Sequence, residues 1–249
     1  MTTSERAPYR KAPIREAIID IRVRFAKPPS ISVLDSLHDA IKGEYPGRQA
    51  RISLEANISI PIQPGSAGIS SNAPKEDGYL HISPDGKQVV QTRFDGFTFN
   101  RMEPYDRWST FSGEAKRLWP IYRAIAAGST ITRLALRYIN SISVPTPCNL
   151  QDYVLTVPMI APALPQDVKN YFMRLVLPYP RAGAEATIAQ TLEPAQNGRL
   201  PIIFDIDVYK TVDLPVDEEE IWKHFDELRD LKNEIFEKST TQATKDLFK

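Results

Sequence analysis

The chain has 249 residues, 42% hydrophobic and 25% charged, which excludes a disordered or collagen-like polymer and gives ample material for a core. Its 31 Lys+Arg are matched by 31 Asp+Glu, so no global field recruits nucleic acid or acidic lipid, and any basic site must be local. Its single cysteine, Cys148, excludes an intramolecular disulfide and a Cys-cluster zinc site, and points to a cytoplasmic location.

The polar, basic stretch 1–13 lacks the apolar centre of a signal peptide. From Ile14 to Phe25, Ile19, Ile21, Val23 and Phe25 alternate with Ile18, Asp20, Arg22 and Arg24, which predicts a half-buried strand. Ser32 then caps a short amphipathic helix carrying Leu34, Leu37, His38 and Ile41, closed by Gly43. A strand is expected over 51–62 and a long polar loop over 63–78. Tyr79–Ile82, Lys87–Phe94 and Phe97–Met102 read as an antiparallel meander, because Asp85-Gly86 and Asp95-Gly96 supply hairpin chemistry. A strong helix follows Pro104, with Trp108, Phe111, Ala115, Leu118, Trp119 and Tyr122 at helical spacing and Pro120 expected to kink or divide it.

The second half repeats this order. A strand over 131–144 leads into a Pro-rich crossover with a helical turn near 149–155, then strands over 171–177, 184–192 and 200–212. Pro215 introduces the last helix, with four carboxylates over 217–220 at its start and an apolar stripe of Ile221, Trp222, Phe225, Leu228, Leu231, Ile235 and Phe236. Trp108-x-x-Phe111 and Trp222-x-x-Phe225 are separated by a common offset of 114. The expected fold is therefore α+β: a large antiparallel or mixed sheet from two related strand–helix–strands–helix halves (about 14–127 and 131–237), with the long helices on one face. This order resembles the duplicated plan of the saddle-shaped TATA-binding-protein fold.

Known chemistries find little foothold. His38, His81 and His224 fall at no metal-binding spacing and are expected in core or surface roles; Gly-x-Ser-x-Gly, Walker A and Gly-x-Gly-x-x-Gly loops are absent. The informative feature is charge on strand faces. Arg22 and Arg24 share a face with Glu16 and Asp20, Arg133 shares one with Arg137, and Asp205 shares one with Asp207 and Tyr209. Arg22, Arg24, Arg133, Arg137, Asp205 and Asp207 are thus the candidate ligand or partner site, against the plainer reading of a solvated face laced with Arg–carboxylate pairs. A sharper variant has Asp205, Asp207 and Glu16 holding Mg²⁺ beside a polyphosphate, although the Glu-x-Glu-x-Lys signature of tunnel triphosphatases is missing.

Three segments carry a family resemblance: Pro13-Ile14-Arg15-Glu16-Ala17-Ile18, Leu136-Arg137-Tyr138-Ile139-Asn140, and Leu228-Arg229-Asp230-Leu231-Lys232-Asn233-Glu234-Ile235-Phe236. Together with Phe204–Tyr209 they resemble a sporadically distributed family of uncharacterised bacterial proteins of about this length. That resemblance implies a mobile-element, defence or toxin-neutralising context and supplies no established catalytic residues to carry over. The resulting expectation is a non-enzymatic binding or regulatory protein whose partner is a protein encoded nearby, with no cofactor. The alternative is a sensor of an anionic, phosphate-bearing small molecule, or a metal-dependent phosphohydrolase, using the charged sheet face. A membrane, or nucleic acid alone, is disfavoured as a partner.

Overall fold

A computed structural model describes residues 9–53, 56–59, 68–71, 75–216 and 220–249. Strand β1 (Ile14–Arg24) buries Ala17, Ile19, Ile21 and Val23, as period-2 alternation requires of a strand with one face in the core. Helix α1 (Ile31–Ile41) buries Leu34, Leu37 and Ile41; its N-cap is Ser30 rather than Ser32, and the two hydroxyls bond each other at 2.7 Å. Strands β2 (Gly47–Ser53), β3 (Ala56–Ser59) and β4 (Gly68–Ser71) follow. The strand expected over 51–62 is therefore split, and the loop expected over 63–78 contains β4 and the start of β5 (Lys75–Ile82). The remainder of both stretches lies outside the described residues. Among the described residues, β3 and β4 pair with each other alone, Ile58 opposite Ile69.

The meander continues through β6 (Gln88–Arg93) and β7 (Gly96–Met102). Gly96 is obligatory in that hairpin, because its φ is +153° and a Cβ would meet the Ile21 carbonyl oxygen at 2.2 Å. Helix α2 (Trp108–Ile125) passes through Pro120 as one element instead of being divided there. Leu118, Trp119 and Tyr122 around the proline are all buried, and that burial outweighs the lost hydrogen bond.

The second half comprises β8 (Thr130–Pro145), a 3₁₀ turn over Leu150–Asp152, β9 (Phe172–Tyr179), β10 (Ala184–Leu192), β11 (Arg199–Pro215), α3 (Ile221–Ser239) and α4 (Gln242–Asp246). Of the carboxylates expected at the start of α3, Glu220 occupies the N-cap, and residues 217–219 lie outside the described residues. The nine long strands form one antiparallel sheet in the order β2-β5-β6-β7-β1-β8-β11-β10-β9. The architecture is mixed α+β, with the opening strands β1 and β8 paired at its centre.

Aromatic contacts tie the helices to the sheet. Phe97 meets Trp119 and Tyr122, Phe99 stacks on Phe111 at 5.5 Å, and Phe204 meets Phe236 at 6.3 Å. The helices also touch reciprocally: Trp108 Nε1 of α2 donates to Asp226 Oδ1 at 2.8 Å, and Lys116 lies 5.5 Å from the ring of Trp222. No helix of the described residues is long and apolar enough to cross a membrane.

One core residue conflicts with its surroundings. Lys232 of α3 is 9% exposed, with Nζ 3.9 Å from the Tyr138 ring centre, and burial pushes its ammonium down to about 7. The unfolded chain takes up this proton near pH 10.5 and the folded chain only near pH 7, so stability falls as pH drops through that interval. Lys232→Met is therefore expected to raise stability at pH 6 by about 2–3 kcal/mol, with the gain shrinking towards pH 10. Urea melts at the two pH values read the difference.

Candidate functional site

The strands turn their other residues to the face opposite the aromatic contacts. Ladder registers bring together Arg22 opposite Arg133 and Arg137 opposite Asp207, with Asp205 two residues away on β11. Five of the six residues singled out from the sequence thus share one patch. Arg24 departs from them: it sits at the end of β1 and pairs with Asp213 at 3.1 Å, both side chains largely in water. The β-bulge between Arg22 and Val23 shifts the register there, which the alternation of residue types could not reveal.

The centre of the patch is Asp20. One carboxylate oxygen accepts from Arg93 and from the Thr98 hydroxyl, each at 2.7 Å; the other accepts from Arg22 at 2.9 Å and Arg133 at 3.3 Å. Burial would raise this carboxyl's affinity for protons, but the Arg93 and Arg22 guanidiniums and the Thr98 hydroxyl more than reverse it, holding Asp20 below the usual range. Arg22 also reaches Asp95, which lies 3.0 Å from Arg93. Arg133 donates to Asp207 at 2.8 Å and rests over Tyr209, 4.3 Å from the ring centre. Arg137 grips Asp205 with two bonds, 2.9 and 2.5 Å. Burial raises the Asp207 carboxyl, and the pull of Arg133 only partly offsets this; its Oδ1 is buried without a hydrogen bond.

Two side-chain amides extend the network towards β2: Asn100 donates to Glu16 at 2.6 Å, Gln91 to Asn100 at 3.0 Å, and Arg51 to Gln91 at 3.2 Å. Glu16, Asp205 and Asp207, the trio considered for Mg²⁺, are therefore each engaged by a different donor. Among the described residues, no three His, Cys, Asp or Glu side chains group to hold a metal ion. Asp20 was visible on the first strand, but its role as hub was not, and Arg93 and Asp95 carried no signal. Their partners on β1, Asp20 and Arg22, lie 73 residues away along the chain, and the β6–β7 and β1–β7 pairings bring them together.

Beyond β11 the same face changes character. The registers carry Asp207 to Thr187 and Val176, and Ile203 to Thr191 and Phe172. Phe172 is 72% exposed and Val176 45% exposed, on the edge strand β9. Of the eight exposed large hydrophobics among the described residues, Phe172 and Val176 are the two that these registers place on this face. Comparison with protein-family models, with curated proteins and with solved structures found no match.

Proposed function

We propose that the protein is a non-enzymatic binding or regulatory protein that docks a protein partner on the open face of its sheet. The observation that carries this reading is the composition of the face. Four guanidiniums (Arg22, Arg93, Arg133 and Arg137) are matched by four carboxylates (Asp20, Asp95, Asp205 and Asp207), and this mixed patch grades into exposed Phe172 and Val176. A balanced field suits a surface that itself carries both signs, whereas a polyanion would require surplus cations. The aromatic anchor beside pre-ordered ion pairs matches how protein interfaces divide affinity from specificity.

The same reading takes residues 14–127 and 131–237 as related halves, with α2 and α3 covering one face and leaving the other for the partner. It is supported by the equivalent strand order on either side of β1–β8 and by the reciprocal Trp108–Asp226 and Trp222–Lys116 contacts. The resemblance to a sporadically distributed family adds a cytoplasmic, mobile-element, defence or toxin-neutralising setting to this reading, in which the partner is encoded by a neighbouring gene.

The test uses the product of that adjacent gene. Phe172→Asp and Val176→Asp are each expected to weaken its binding tenfold or more in calorimetric titration, while thermal unfolding moves little because both side chains are exposed on the edge strand β9. Unchanged affinity in both variants contradicts the reading.

A further inference from the structure

Two histidines that the sequence treated separately meet where α1 lies on the sheet. His38 Nδ1 of α1 and His81 Nδ1 of β5 are 3.2 Å apart, and His81 Nε2 lies 3.1 Å from the Thr92 hydroxyl. His81 is fully buried. The ring planes differ by 17° and the ring centres are 5.4 Å apart. Each Nδ1 lies about 1.2 Å from its own ring centre, so two rings in line across this gap would have centres about 5.6 Å apart. The observed separation therefore describes rings placed end to end, each Nδ1 aimed at the other, and not a face-to-face stack.

That geometry counts protons. With both rings neutral, one Nδ1–H donates to the other Nδ1. A proton placed on His38 Nε2 leaves His38 able to donate to His81, now as a charge-assisted bond. One more proton must go to His81 Nδ1, which sets two N–H groups head to head between two cations. We propose that the His38–His81 pair is an acid-sensitive latch: it holds α1 on the sheet through the first added proton and releases it with the second.

The charged and titratable groups around the pair favour this order. Arg48 of β2 lies over Tyr79 of β5, 4.8 Å from the ring centre, and pairs with Asp35 of α1 at 2.6 Å. Asp39 of α1 is tied to Lys42 at 2.9 Å, and α2 presents Arg117 bound to Glu44 and Glu114. The carboxylates thus have cations of their own, and β6 offers the pair the Thr92 hydroxyl. Burial, then the nearby His38 and Arg48, push His81 down to about 4. The unfolded ring titrates near 6.5, so the latch is at full strength above that value and fails as pH falls through about 4. Release would uncover Leu34, Leu37 and Ile41, now buried against the sheet.

Hydrogen exchange on the full chain tests this. After correction for intrinsic rates, protection of the 31–41 amides relative to those of β1 is expected to fall at least tenfold between pH 6.5 and pH 4. A ratio that stays constant overturns the proposal. His81→Gln removes the titrating ring and is expected to abolish the drop; persistence of the drop in that variant also overturns it. Nitrogen-detected NMR of the unsubstituted protein is independent of any variant's folding. At pH 5.5 it should show His81 Nδ1 unprotonated, and a doubly protonated His81 with α1 still protected refutes the latch.

Discussion

Replacing Asp20 with alanine is expected to cost about 3–5 kcal/mol of folding stability, because it strands a buried guanidinium. The Arg93 side chain is 5% exposed, and without Asp20 only Asp95, itself more than half exposed, remains opposite it. Arg22, Arg133 and the Thr98 hydroxyl lose the same acceptor. The carboxyl is held below its usual range, so its stabilising contribution is present above pH 3.8 and is lost as pH falls through the lower folded value. Acid should therefore narrow the gap between Asp20→Ala and the parent protein. Arg24→Ala serves as the contrast: its pair with Asp213 is exposed on both sides, so the loss should stay within about 0.5 kcal/mol. Urea melts at neutral pH check both, and a loss below about 1 kcal/mol at Asp20 would show that Arg93 finds water or another partner.

Phe225→Ala should have an effect of similar size, about 3–5 kcal/mol, for an unrelated reason. Phe225 is fully buried on α3 and packs its ring 5.4 Å from that of Trp222. Truncation leaves a cavity that neighbouring Leu228 and Ile221, both already buried, cannot collapse to fill. Thermal and urea unfolding of the single variant measure it. A loss under 1 kcal/mol would mean that α3 does not anchor to the sheet as its apolar spacing requires.

These two residues mark what the amino-acid pattern could and could not disclose. Phe225 belongs to a stripe repeating at helical spacing, so its burial follows from local sequence. The same holds for the alternation in β1, β8 and β11, which separates Ile19, Leu136 and Val208 from Arg22, Arg137 and Asp207. Asp20 is different. Its alternation told which face it occupied, but its partners come from β6, β7 and β8, and only long-range strand pairing assembles them. Arg24 lies at the far end of β1, where its partner is Asp213 of β11, a pairing that alternation along β1 does not disclose. His38 and His81 were likewise read as isolated side chains, because nothing in their spacing predicts that α1 lies across β5. Exposed Phe172 and Val176 had the composition of an ordinary strand, and only the edge position of β9 distinguishes them.

The proposed docking face is tested most directly by hydroxyl-radical footprinting of the protein alone and bound to the product of its neighbouring gene. Side-chain oxidation reports solvent access at Phe172 on β9 and at Tyr209 beside Arg133, which lie on the same side of the sheet. A docked open face predicts strong protection of both residues in the complex, with oxidation of α2 and α3 surface residues unchanged. Protection confined to the helices, with Phe172 and Tyr209 oxidised as readily as in the free protein, would contradict it.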